Sequence, residues 1–148
     1  MRITTRGRYA LRAILTLARL GSEGSPVSIN VLSEQENISS VFLEQIFFKL
    51  RKAGIVNSVR GPGGGFCFAQ PIEKITIKEV LDAAGEALTL TPCKKTDLDC
   101  PKVGYCPAHP VWMEVTNIMN NYFNSLTIAS VLEKNGDITD IIGAEINT

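Results

Sequence analysis

The sequence predicts a mainly α chain with one small β-hairpin and a long helix late in the chain. Three observations carry this. Apolar residues recur at helical spacing through residues 4–20, 40–52 and again from about Pro110. Serines or threonines stand where four of the helices have to begin. Two short β-rich runs, Ile55–Val59 and Phe66–Ala69, flank the glycine-rich stretch "RGPGGG".

The first helix follows from Ala10, Ala13, Ile14, Leu17 and Ala18 on one face, with Gly21 as its stop. "GSEGSP" reads as a loop. Ser28 can cap a short helix carrying Val31 and Leu32, and "ENIS" is a tight break. Ser39 or Ser40 caps a third helix whose Leu43, Ile46, Phe47 and Leu50 face inward, and Gly54 follows as its C′ residue. Two helices joined by about four residues make a helix-turn-helix, about residues 28–53. The hairpin at about residues 55–70 then reads as the wing of a winged helix-turn-helix domain, residues 1–84. Thr76 and Glu79 form a T-x-x-E capping box opening "IKEVLDAAG". Residues 85–109 are a loop. Residues 110–134 carry a helix with Val111, Val115, Ile118, Met119, Tyr122 and Phe123 at helical spacing, then a short helix capped by Thr127. Its apolar stripe is too rich to leave bare, which makes the long helix the expected seam of a homodimer. Residues 135–148 show no pattern and are expected to be a flexible tail.

The 148 residues are 45% hydrophobic and 20% charged, ordinary for one globular domain with an added arm. No apolar run approaches the roughly 18 residues of a spanning helix, and the N-terminus alternates basic with apolar residues where a signal peptide needs an unbroken apolar region. The expected compartment is the cytoplasm, with no membrane partner and thiols kept reduced. The net charge of zero conceals an asymmetry. Residues 1–70 hold nine Lys/Arg against four acids, a net +5, and residues 71–148 hold six against eleven, a net −5. A basic half beside an acidic half fits one polyanion-facing surface; ordinary solvated charge would give the same balance.

Double-stranded DNA is the partner that a winged helix implies. The candidate contacts are Arg2, Thr4 and Arg6 near the N-terminus, Ser40, Phe42, Glu44, Gln45 and Lys49 on the reading helix, and Arg60, Gly61, Gly63 and Gly64 at the wing tip. Glu44 can accept from a cytosine amino group and Gln45 suits adenine. An arginine at the foot of a glycine-rich hairpin suits phosphate or a narrow minor groove. A phosphate-binding nucleotide loop is excluded, because no Gly-Lys-Ser/Thr follows the glycines. An enzyme is not expected either, since no nucleophile, base and acid come together in the pattern.

The loop concentrates three of the four cysteines and the lone histidine as Cys93-x6-Cys100-x5-Cys106-x2-His109. Three thiolates and an imidazole make a complete set for a tetrahedral centre. Only Cys106 and His109 have the close pairing usual for structural zinc, whereas the wide gaps suit wrapping an iron–sulfur cluster, for which mixed Cys/His ligation has precedent. Spacing leaves open a cluster, zinc, disulfide exchange among the three cysteines, or unrelated thiols. Cys67, between Phe66 and Phe68, reads as a small strand residue.

The stretches "MRITTRGRYALRA", "FLEQIFFKLRKAGIV" and "SVRGPGGGF", followed by the cysteine loop, strongly resemble the winged-helix family of iron–sulfur and nitric oxide sensing transcription regulators. The resemblance runs from Met1 to about Leu132. "GRYA" and a histidine three residues after the last cysteine point to its cluster-regulator branch. The resemblance implies a homodimer holding a 2Fe–2S cluster through Cys93, Cys100, Cys106 and His109, with cluster-assembly scaffold proteins as donors. It implies control, by repression and activation, of cluster-assembly genes, operator choice depending on cluster occupancy. It further implies that Glu44 discriminates operator types and that Arg60 enters the minor groove. In this chain Val41 and Phe42 stand where the family has a hydroxyl-bearing pair, and Arg8 stands near the N-terminal carboxylate ligand of the nitric oxide sensors. The alternatives are a nitric oxide or redox sensor of the same family with a 4Fe–4S cluster, and a zinc or thiol-switch repressor.

Overall fold

Thr4 starts the first helix: its hydroxyl accepts from the Gly7 N–H, and α1 runs Thr5–Leu20 until the Gly21 N–H closes back on the Leu17 carbonyl. The computed structural model describes residues 2–21, 24–93 and 100–135. α2 (Ile29–Glu36) is capped by Ser28, which accepts from the Val31 N–H. Asn37 ends it in the left-handed region at φ 52°, the one non-glycine with positive φ among the described residues, and this is the tight break of "ENIS". α3 (Ser40–Lys52) is capped by Ser39, not Ser40, through the Phe42 N–H, and Gly54 follows at φ 78°.

The hairpin pairs β1 (Val56–Val59) with β2 (Gly65–Phe68) antiparallel, Val56 opposite Phe68 and Val59 opposite Gly65. The loop "GSEGSP" leads into Val27, which forms an isolated β-bridge to the wing. Val27 and Phe66 exchange both backbone hydrogen bonds, at 2.9 and 2.8 Å, so the wing is stitched to the start of α2. A lone bridge leaves no alternation for a sequence window to detect.

α4 (Ile77–Ala83) opens with the reciprocal Thr76–Glu79 capping box. α5 (His109–Ser125) begins one residue ahead of Pro110, with no side-chain cap. Past Leu126 the chain turns into a sixth helix, α6, described over residues 128–135 and opened by reciprocal bonds between Thr127 and Ser130. The flexible tail expected at 135–148 lies, past Asn135, outside the described residues.

One core unites these elements. Ala10, Ala13, Ile14 and Leu17 of α1 meet Leu32 of α2, the four inward residues of α3, Val56, and Val80 of α4, all of them buried. The alanines let α1 and α3 approach closely, and Phe47 fills the centre against Phe66 at 4.9 Å between ring centroids. α6 returns to this same core. Ile128 is fully buried, its N–H bonds the Ile75 carbonyl at 3.0 Å, and the Ile77 N–H bonds Leu126 O at 2.8 Å. α5 is therefore an excursion that leaves the head and comes back to it, and none of its residues is buried. No described helix is long and apolar enough to cross a membrane.

Candidate nucleic-acid interface and metal-ligand loop

α3 buries Leu43, Ile46, Phe47 and Leu50 and turns Val41, Glu44, Gln45 and Phe48 outward. The two faces follow from the 3.6-residue period: adjacent Phe47 and Phe48 point about 100° apart, so only one can reach the core. Val41, Glu44, Gln45, Phe48 and Lys49 line one shallow, open depression. Glu44 and Gln45 are exposed there with their amide and carboxylate free to face a groove. Ser40 is half-buried. Phe42 is turned towards α1 and packs edge-on against Tyr9, 5.7 Å between centroids, so its main contact is internal. Lys49 is half-buried and its Nζ lies beside the end of α4, where a Cβ built on Gly85 would stand 3.4 Å away.

The wing tip separates its glycines by task. Gly61 and Gly63 have φ of 93° and 73° and open space around them. The Gly64 N–H closes the turn on the Gly61 carbonyl at 2.9 Å. A Cβ on Gly64 would stand 2.3 Å from the Val59 carbonyl oxygen. Gly64 is thus required by the turn itself, while Arg60, Gly61 and Gly63 are exposed and available to a partner. The wing is tied to the reading helix by Arg51, which donates to Ser58 Oγ at 3.2 Å.

At the N-terminus Arg2 and Arg6 are exposed. Thr4 is committed to the fold. Besides capping α1, its N–H and its hydroxyl both donate to Glu86 Oε2. Glu86, 5% exposed, tucks its carboxylate against the first turn of α1, where the helix dipole favours negative charge. A Cβ on Gly7 would collide with that carboxylate. Neither Glu86 nor Phe48 was among the candidates. The doublet "FF" held the signal for Phe48; nothing local marks Glu86, whose partner is 82 residues away.

The four candidate ligands sit on a loop held at both ends. Upstream of Cys93, Asn120 of α5 donates to the Leu88 carbonyl at 3.0 Å, and the Leu90 N–H reaches Thr116 Oγ1 at 3.5 Å. Downstream, a run of turns carries the chain from Cys100 to His109: Val103 N–H to Cys100 O, Cys106 N–H to Lys102 O, and His109 N–H to Cys106 O at 3.2 Å. His109 is the first residue of α5. All three cysteines are free thiols, half-buried. Among the described residues no three His, Cys, Asp or Glu side chains converge as a metal site, and residues 94–99 lie outside them. The turns bring Cys106 and His109 into one segment; Cys93 and Cys100 are not gathered with them. One atom does fit a bound metal. His109 Nδ1 is buried and has no hydrogen-bond partner, a position that is costly for a ring nitrogen unless its N–H finds an acceptor or its lone pair finds a donor or a metal. Three soft thiols and this imidazole are also chemically a cluster- or zinc-binding set.

A helix-turn-helix whose second helix, α3, exposes polar groups, followed by a hairpin with an arginine at its foot, defines a winged-helix DNA-binding transcriptional regulator. The chain belongs to the Rrf2 family of iron-dependent transcriptional regulators, whose model matches residues 3–134. It is 40% identical over 144 residues to a Neisseria meningitidis serogroup A protein described as an HTH-type transcriptional regulator, covering 96% of each chain. It is 36% identical over 145 residues to the HTH-type transcriptional regulator IscR of Escherichia coli O1:K1, covering 98% of this chain and 88% of that one. The structure superposes on T. potens IscR with a TM-score of 0.73 at 30% identity, covering 91% and 88% of the two chains.

Proposed function

We propose that this protein is a cytoplasmic homodimer that binds operator DNA and adjusts its operator choice to iron–sulfur status, through a 2Fe–2S cluster held by Cys93, Cys100, Cys106 and His109. Its targets on this reading are the genes of cluster assembly, and its cluster donors are the scaffold proteins of that pathway. The observation that carries the reading is the buried, unpartnered His109 Nδ1 at the head of α5, on a loop with three free thiols. The likeness to two IscR proteins supports it.

When bound, the cluster supplies a redox-active centre whose occupancy reports iron and oxidant supply. The chain's own contacts supply the route from the loop to DNA. His109 belongs to the first turn of α5, so holding its ring in place also orders the start of that helix. Thr116 and Asn120 clamp the stretch before Cys93 to the same helix. Glu86 ties the root of the loop to Thr4, between the exposed Arg2 and Arg6. A tenfold change in operator preference requires about 1.4 kcal/mol of differential interaction. One base contact, such as Glu44 on a cytosine, is of that size at about 1–3 kcal/mol.

The test is anaerobic purification followed by iron and acid-labile sulfide analysis and electron paramagnetic resonance. Coloured protein with equimolar iron and sulfide is expected, and alanine at Cys93, Cys100 or Cys106 should each remove the visible absorption. Stoichiometric zinc without sulfide would replace the reading with a zinc module. Metal-free protein whose DNA binding follows reversible disulfides would replace it with a thiol switch.

The homodimer part rests on α5. Val111, Val115, Ile118 and Tyr122 fall at i, i+4, i+7 and i+11 and form an exposed apolar stripe, with Trp112 beside it. Ile118→Asp is expected to weaken the dimer by about 100-fold, as loss of a central apolar anchor does. Ile118 is 59% exposed, so the head should stay folded. Sedimentation velocity at micromolar protein reads the first effect and circular dichroism the second.

A further inference from the structure

Two apolar side chains stand exposed on the outward face of α3. Val41 is 64% exposed and Phe48 56%. They share the shallow depression with Glu44, Gln45 and Lys49, the five falling at i, i+3, i+4, i+7 and i+8 of one helix face. The Phe48 ring is held rather than loose. The Arg51 guanidinium lies over it, 5.7 Å from the ring centroid, and is itself fixed to Ser58 on β1. The depression therefore has a polar middle, able to make directed hydrogen bonds, between two apolar ends that cannot.

The surroundings identify the occupant. The last turn of α3 carries Lys49, Arg51 and Lys52, and the wing adds exposed Arg60. Such a positive rim favours a polyanion. In the major groove of a polyanionic duplex, the apolar counterpart is the thymine 5-methyl group, since every other base edge there offers donors or acceptors. We infer that Val41 and Phe48 are specificity residues that read thymine methyl groups, on either side of the base pairs offered to Glu44 and Gln45. Seven helical residues span about 10 Å, which matches about three base-pair steps of 3.4 Å. The two thymines of a half-site are accordingly set about three base pairs apart. This inference deepens the reading of α3 as the DNA-reading helix and rests on it.

The test starts from the full-length protein and a randomised duplex library. The enriched duplex is remade with deoxyuridine in place of thymidine at one position at a time, which removes a methyl group and nothing else. Two positions per half-site, about three base pairs apart, should each lose about fourfold in affinity, the factor corresponding to about 0.8 kcal/mol for one buried carbon. Val41→Ser should abolish the loss at one of them and Phe48→Ser at the other, while Phe48→Leu, still apolar, should retain it. Both side chains are exposed, so the substitutions spare the core. If every deoxyuridine duplex binds as tightly as the parent, or if the serine variants keep full thymine–uracil discrimination, the inference is overturned. A flat scan in which the serine variants instead change the sedimentation of the free protein would assign this face to self-association. Failure to enrich any duplex would overturn the DNA-reading role of α3 itself.

Discussion

Gly65→Ala is expected to destabilise the head by about 3 kcal/mol or more, a loss that urea unfolding would show directly. A Cβ at this position would stand 2.2 Å from the Val27 carbonyl oxygen, 2.4 Å from its carbon and 2.6 Å from the Ser28 nitrogen. All three atoms are backbone, so no side chain can swing aside to relieve the clash. Val27 is also the residue that stitches β2 to the start of α2, and Ser28 caps that helix. The substitution therefore strikes the seam between wing and helix-turn-helix, and operator binding should fall with stability. Gly63→Ala is the control. Gly63 also has positive φ, but a Cβ there meets nothing within 4 Å. Only the left-handed backbone penalty of about 1–2 kcal/mol remains. Equal losses for the two variants would show that the clash with Val27 is not what matters.

Removal of the Glu86 side chain should also have a large effect. Glu86→Ala is expected to lower stability by about 2–3 kcal/mol, because it strips the acceptor from the Thr4 N–H and hydroxyl and leaves a void under α1. Glu86→Gln keeps the shape and an acceptor and loses only the favourable charge at the helix N-terminus, about 0.5–1 kcal/mol. The fit between Glu86 and Gly7 supplies a sharper check. Gly7→Ala on its own should be damaging, since its Cβ would meet the carboxylate. In the Glu86→Ala background the same change fills vacated space and should be nearly neutral or stabilising. Thermal melts of the four proteins of this cycle measure the coupling. Additive losses would mean that the two residues do not press on one another.

Much of the fold was legible because its signals are short-range. Ser28, Thr76 and Thr127 each cap a helix through a partner three residues away. "RGPGGG" demands a tight turn between two strands wherever it lies. The stripe on α5 is visible as spacing alone. For the candidate site, the outward position of Glu44 and Gln45 follows from where Leu43, Ile46 and Phe47 must go. The tasks within each motif were less legible. Nothing in the local sequence marks the second partner of two candidate DNA contacts, Glu86 at the Thr4 hydroxyl and Tyr9 against the Phe42 ring. Composition cannot distinguish Gly64 and Gly65, which have no room for a Cβ, from Gly61 and Gly63, which have plenty.

By itself the amino-acid order determined the helices, their caps, the hairpin and the inventory of soft ligands, because each depends on residues within one or two turns of each other. Tertiary structure alone decided that Val27 bridges to the wing, that Glu86 lies under α1, that Ile128 brings α6 back into the head, and that His109 Nδ1 is sealed away without a partner. The first three join segments far apart in the chain. Whether a given polar or apolar group is covered depends on what the whole packed core brings over it, and no local spacing records that.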